Sequence, residues 1–268
     1  MKIKNALISI SLLFAGVAVN TNSAQAAGFV SNITYTDPTN DVTLNSITQN
    51  GTTFNDFSFV NRTIIQYNTP RTDDSNSGAA STDRGDNVYT PELPEETPAA
   101  EAITAFLGTD NLNNIIDTED VGSFILDVFF DREIVQDNSG LDSLFFWERG
   151  MNSDLGIQAL DASGNVIGDF KRITETRIGS NYAGFQINTS EIDEPQSVGA
   201  WGVNLNELGV GRLSGLRLTA DETFNGPDFK LIARSGNTAT VPEPTTILGL
   251  GAVAAMTFLR RRQRMLQK

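Results

Sequence analysis

Phe124-Ile125-Leu126-Asp127-Val128-Phe129-Phe130-Asp131 decides the fold class of this chain. Phe124, Leu126, Val128 and Phe130 recur at every second position, the spacing that lines one face of an extended strand. Ile125, Asp127, Phe129 and Asp131 form the other face, which is only partly apolar. The pattern predicts a strand buried on one side and half-covered on the other, as in packed β-sheets. Residues 144–149 repeat the signal, with Trp147 beside Phe146. Residues 156–160 and 166–168 flank Asp161-Ala162-Ser163-Gly164-Asn165, a glycine-containing turn that predicts a hairpin. Further strands are expected at 181–187, 201–205, 213–219 and 228–233.

Upstream, residues 29–67 read as short strands rich in Thr, Ile, Val and Phe. Asp37-Pro38-Thr39-Asn40-Asp41 breaks them, and Gln49-Asn50-Gly51 marks a hairpin. Phe54, Phe57 and Phe59 read as core, and so do Trp147 and Trp201. A helix is expected from Thr97 as N-cap and Pro98 at the first helical position to about Leu107, stopped by Gly108, with a short turn at 111–116. Strands about ten residues apart with one or two short helices predict a mainly β chain, a single antiparallel β-sandwich of jelly-roll-like form. A β-barrel is the alternative.

Between Thr69 and Thr97, Phe, Trp and Ile are missing while Asp, Ser, Pro, Glu and Gly dominate. So little apolar surface offsets the entropy of ordering that we expect a mobile acidic loop over 69–97. The segment before it is too small to bury a core alone, so the loop is expected inside one domain spanning 27–240.

The 268 residues include no cysteine and no histidine, which excludes disulfides, thiolate nucleophiles, Ser-His-Asp triads and imidazole or thiolate zinc sites. Nineteen basic residues against thirty-three acidic ones give a net charge of −14, the wrong sign for a nucleic-acid partner.

The two ends read as addresses. Met1-Lys2-Ile3-Lys4, an apolar run over 6–19 and Ala24-Gln25-Ala26 follow the order of a secretory signal peptide, with cleavage by signal peptidase after Ala26. At the other end stand Val241-Pro242-Glu243-Pro244, a short apolar stretch over 245–259, and Arg260-Arg261-Arg262-Gln263-Arg264. The apolar stretch is expected as a short membrane helix, with the basic cluster cytoplasmic and the Pro-Glu-Pro outside, held extended by its prolines. Seven of the nineteen basic residues and no acid lie outside residues 27–243, so the processed body keeps twelve bases against thirty-three acids, a net −21.

Residues 241–264 resemble the PEP-CTERM sorting signal: tripeptide, apolar helix and arginine cluster in that order. The resemblance implies processing by exosortase, with Pro242, Glu243, Pro244, Arg260, Arg261 and Arg262 as the residues that carry it. Residues 111–120 and 124–131 resemble exosortase-dependent surface proteins of cyanobacteria, which implies a location and no enzymatic activity.

Carboxylates cluster at 117–120, 127, 131–133 and 137–142. A glycosidase needs two of them facing one another across a sugar, and a sequence does not display that geometry. Calcium, which takes six to eight oxygens, is the better-motivated ligand. Asp137, Asn138 and Asp142 in one glycine-containing turn, and Asp161 and Asn165 in another, are the candidate calcium residues, though neither has EF-hand spacing. The expectation is thus a secreted, non-enzymatic cell-surface or extracellular-matrix protein with a structural or adhesive role. It passes through the inner membrane in transit and has exopolysaccharide as a candidate partner. A calcium-dependent carbohydrate-binding module and a matrix glycoside hydrolase are the alternatives.

Overall fold

A computed structural model describes residues 21–26, 28–72, 78–91 and 94–236. Along the chain run β1 (Thr21–Ala26), β2 (Phe29–Thr34), β3 (Thr43–Gln49), β4 (Thr52–Phe54), β5 (Val60–Asn68) and β6 (Ala80–Arg84). The helix α1 (Ala100–Leu107) precedes β7 (Asn114–Thr118), β8 (Phe124–Val135), β9 (Leu144–Arg149), β10 (Leu155–Leu160) and β11 (Val166–Ile173). The last strands are β12 (Tyr182–Thr189), β13 (Ile192–Val203), β14 (Arg212–Ala220) and β15 (Phe229–Ala233).

The chain is mainly β, 51% strand against 10% helix, and forms three antiparallel sheets consistent with a β-sandwich. Five strands in the order β11-β10-β14-β8-β5 face a six-stranded sheet, β12-β13-β9-β15-β7-β6. A four-stranded sheet, β1-β2-β3-β4, covers the far side of that middle sheet. Strand β9 shows why. Leu144 and Phe146 join Phe124, Leu126, Val128 and Phe130 in the core between the first two sheets. Phe145 and Trp147, on the opposite face, join Phe29, Ile33, Leu44 and Ile47 in a second core. Trp147 is 1% exposed and its indole N–H donates to Ser31 Oγ at 3.1 Å. A strand apolar at successive positions is a strand covered on both faces. Truncating Phe146 to alanine would cost about 3–5 kcal/mol through lost contacts and the cavity left behind.

The middle sheet curls into a half-barrel. Its two edges meet where the Ser190 N–H and Oγ–H donate to Arg84 O at 2.8 and 3.0 Å. That closure gathers residues from distant strands at one end of the curl.

Several expectations are corrected. Part of the expected loop over 69–97 is ordered: β6 is buried along its length and pairs with β7 from Ala80↔Thr118 to Arg84↔Asn114. Its burial rests on ion pairing and on the sheet edge, which composition does not register. The helix begins two residues later than expected, with Ala99 as N-cap. Lys230 donates to Phe106 O and Thr109 Oγ1 at its C-terminal end, satisfying a terminal carbonyl of the helix, while burial pulls its amine down to about 7. The turn expected at 111–116 gives way to β7. The Asn50-Gly51 hairpin is present, with both residues at positive φ as a tight two-residue turn requires. Phe54, Phe57, Phe59 and Trp201 are partly buried and pack against the cores.

Strand β1 falls within the expected leader and pairs with β2 over its whole length, from Thr21↔Thr34 to Ala26↔Phe29. Cleavage after Ala26 would remove it and make β2 a sheet edge. Residues 1–20 and the whole C-terminal signal at 241–264 lie outside the described residues, and so does the expected membrane helix. No helix among the described residues is long and apolar enough to cross a membrane.

Candidate functional site

The candidate calcium residues of the sequence fall in two separate turns, each of which uses its own oxygens. Asp161 Oδ1 accepts from the N–H groups of Ser163 and Asn165 at 2.8 and 2.9 Å, and Oδ2 from Asn165 Nδ2 at 2.9 Å. Hydrogen bonds from Asn165 hold its carboxyl below the usual range. Asp137 accepts from Ser139 N at 3.0 Å and from Arg234 at 3.1 Å. Burial works upward on it, but the Ser139 and Arg234 bonds leave it lowered. Asp142 accepts from Gln49 Nε2 at 2.6 Å, and Asn138 is exposed.

A different group converges at the closing end of the curled sheet. Arg149, at the end of β9, is 2% exposed in its side chain and surrounded by carboxylates. It pairs with Asp83 of β6 at 3.1 Å, with Asp228 just before β15 at 2.8 Å, and with Asp117 of β7, while the Thr189 hydroxyl takes another of its hydrogens. The Ser190 and Glu191 N–H groups donate to Asp83 at 3.2 and 3.4 Å, which brings the β12–β13 turn onto β6. Outside this inner shell, Arg71 reaches Glu119 at 3.0 Å, Glu191 at 3.4 Å, and Glu96.

Carboxylate oxygens of Asp83, Asp117 and Glu191 all lie within 4.8 Å of one another, and so do those of Glu96, Glu119 and Glu191. Two oxygens bound to one calcium ion at about 2.4 Å can be at most about 4.8 Å apart, so either triad has the compactness a cation needs. Glu191 belongs to both. Asp117, Glu119, Glu191, Asp228 and both arginines line a cleft of about 490 Å³. Thr118, which lines it too, is buried with no hydrogen-bond partner for its hydroxyl.

Charge is the deciding quantity. Six carboxylates, Asp83, Glu96, Asp117, Glu119, Glu191 and Asp228, share two guanidiniums. Such an excess in a partly dry site is relieved by protons or by a cation. The titration directions agree. The hydrogen bond shared with Asp117, together with burial, pushes Glu191 up to about 8. Burial raises Asp228 to about 6 and carries Asp117 well above the usual range, Asp228 adding repulsion. Glu96 and Glu119 are raised by burial and then by Glu191. Glu148, a neighbour at the end of β9, is pushed to about 8 by burial and adds to the repulsion on Asp228. The arrangement can hold a divalent cation through Asp83, Asp117 and Glu191, with Glu96 and Glu119 beside it.

Of this group only Asp117 and Glu119 fell in a carboxylate cluster of the sequence; Asp83, Arg149, Glu191 and Asp228 went unnoticed. The available signal was Arg149 itself, a charge closing the apolar run Leu144-Phe145-Phe146-Trp147.

Comparison with known families bears on the other end of the chain. Residues 240–263 match the PEP-CTERM protein-sorting motif. The chain carries a PEP-CTERM sorting signal. The matched span contains Pro242, Glu243, Pro244 and the arginines at 260, 261 and 262, and it supports a secreted surface protein that crosses the membrane and is sorted by exosortase. It covers under a tenth of the chain, so it speaks for sorting and leaves the body to be read from its own geometry. No curated protein and no solved structure matches the chain.

Proposed function

We propose that the body is a non-enzymatic structural or adhesive component of the cell surface or extracellular matrix, steadied by a divalent cation, calcium in the first instance, at the Asp83–Asp117–Glu191 cleft. The observation that carries the location is the sorting motif at residues 240–263. Within the same reading, the likeness of residues 111–120 and 124–131 to cyanobacterial exosortase-dependent surface proteins points to that kind of host. Against catalysis, Asp117 and Glu191, both raised, have carboxylate oxygens within 4.8 Å of one another and of Asp83. A glycosidase pair stands about 5–9.5 Å apart with a sugar between, so this packing suits a shared cation or proton better.

Intact mass of the protein recovered from its host's surface tests the reading. The expected species begins after Ala26 and lacks every residue from Thr245 onward. Replacing Pro242, Glu243 and Pro244 with alanine should leave export intact yet trap uncleaved precursor in the inner membrane. Changing Arg260, Arg261, Arg262 and Arg264 to glutamine should instead release uncut protein. Normal surface delivery of the triple-alanine variant would overturn the exosortase reading.

A further inference from the structure

We propose that the outer face of the five-stranded sheet binds an uncharged saccharide chain in a cleft between Tyr67 and Phe170. This site is separate from the acidic cleft and stands whether or not that cleft takes a cation. The middle sheet is covered on both faces, whereas this sheet has one face open, and a single row of cross-strand partners runs across it. The registers Tyr67↔Ile125, Ile125↔Thr219, Thr219↔Gly156 and Gly156↔Arg172 link all five strands. Register partners share a face, so these five residues lie side by side over about 19 Å, four strand spacings. Phe170, two residues before Arg172 on β11, shares that face.

Two aromatic rings stand at opposite edges of the row, and both are half-exposed: Tyr67 at 50% and Phe170 at 53%. Phe170 is seated deliberately. A Cβ at Gly156 would come within 2.8 and 2.9 Å of its ring atoms Cε2 and Cζ, so glycine there is what lets the ring lie down on the sheet. Between the rings, Thr219, Asp221, Thr223 and Arg172 line a cleft of about 510 Å³. Arg172 is fixed before any ligand arrives: it bonds Asp154 Oδ2 and Thr223 O at 2.7 and 2.6 Å and stacks 3.9 Å over Phe224. Asp221 is held by the N–H and hydroxyl of Thr223 at 2.8 and 2.6 Å. Tyr67, Ser123, Asp221 and Thr223 also line an adjoining cleft of about 440 Å³, so the depression continues past Tyr67.

The chemistry selects the occupant. Rings that offer flat apolar faces, alternating with preset donors and acceptors, suit a molecule with C–H faces and many hydroxyls. One cation and one anion, Arg172 and Asp221, balance in the lining, and a body of net −21 repels anionic polymers, which favours a neutral sugar chain. The volume lies in the small-ligand range, and a stable protein partner would need about 800 Å² of matching surface. The tryptophans cannot serve, since Trp147 is buried and Trp201 packs on the core.

The test is isothermal titration of the surface-recovered protein with neutral hexasaccharides (β-1,4-glucan, α-1,4-glucan and β-1,4-mannan) and with an alginate hexamer. At least one neutral chain should bind, and Tyr67→Ala and Phe170→Ala should each weaken it about tenfold or more with an unchanged melting temperature. Tyr67→Phe should retain most of the affinity. Because both side chains are half-exposed, these variants keep the fold. No binding by any neutral chain, tighter binding of alginate, or affinity undiminished in the Tyr67→Ala/Phe170→Ala double variant would each overturn the proposal. So would a second copy of the chain on this face, seen as a dimer by sedimentation and lost in the double variant.

Discussion

Two sets of carboxylates in this protein behave in opposite ways. Asp137 and Asp161 sit in tight turns whose own N–H groups and neighbours satisfy them, and both ionise more readily than usual. Asp117, Glu191 and Asp228 arrive from three separate elements at the closing end of the curled sheet, and all three hold their protons more tightly than usual. An acid whose partners come with it in sequence is stabilised locally. Acids brought together by topology repel, and the fold must supply what holds them. Here that is Arg149 first, then protons or a cation.

The largest effect should follow removal of Arg149. Arg149→Met leaves Asp83, Asp117 and Asp228 buried against one another without their shared cation, and urea denaturation should show a loss of about 3–5 kcal/mol. If the loss reflects repulsion, the double variant Arg149→Met/Asp117→Asn should recover part of it. A change below about 1 kcal/mol would erase the contrast between the two regions.

Next comes the coupling of pH to calcium. Glu191 titrates at about 8 in the folded protein and at its ordinary 4.5 when unfolded. The folded state therefore binds the proton more tightly, so the contribution is present at low pH and is lost as pH rises from about 4.5 through 8. Asp228 adds the same sign up to about 6. Without calcium, the melting temperature should fall across that window. Calcium at a hundredfold over its Kd would restore about 2.7 kcal/mol by mass action, more visibly at pH 8 than at pH 5, because cation and protons compete for the same oxygens. A melting temperature that ignores calcium at matched ionic strength at both pH values would remove the cation from this cleft.

Glu191→Gln sharpens the same comparison with a smaller effect. It should raise the melting temperature at pH 8 without calcium, leave it nearly unchanged at pH 5, and abolish the calcium response, since Glu191 belongs to both triads. A variant that melts lower at pH 8 would mean the carboxylate is stabilising as an anion.

The same contrast explains what could be read in the sequence. Strands β8, β9 and the β10–β11 hairpin were legible because their alternation and their Asp-Ala-Ser-Gly-Asn turn are local. The turn carboxylates were legible for the same reason, and they drew the calcium expectation toward residues 137–142 and 161–165. Strand β6 was not, because Ala80-Ser81-Thr82-Asp83-Arg84 has no apolar period and is buried by pairing to β7 and by the Asp83–Arg149 bridge. The acidic cleft was illegible because its members meet only when β6 closes against the β12–β13 turn. The third sheet was hidden too: Phe145 and Trp147 announce a second buried face without naming the strands that cover it.

The smallest expected effect lies on the other side of the comparison, and it is the most discriminating for where calcium acts. Asp137→Ala removes the acceptor for the exposed Ser139 N and one partner of the buried Arg234, which keeps its bond to Asp142 O at 3.2 Å. Water reaches Ser139 N and Arg234 retains its second acceptor, so the change should cost about 1 kcal/mol. The sign with pH is the reverse of the cleft's: Asp137 is lowered when folded, so the stability it contributes is present above its ordinary 3.8 and disappears as pH falls below that. The Asp137→Ala penalty should therefore be full at pH 7 and vanish in acid, while the calcium-dependent rise in melting temperature stays as large as in the unaltered protein. Should that rise disappear with Asp137 and survive Glu191→Gln, the cation belongs to the turn at residues 137–142, and the carboxyls of the cleft are held together by Arg149 and by protons.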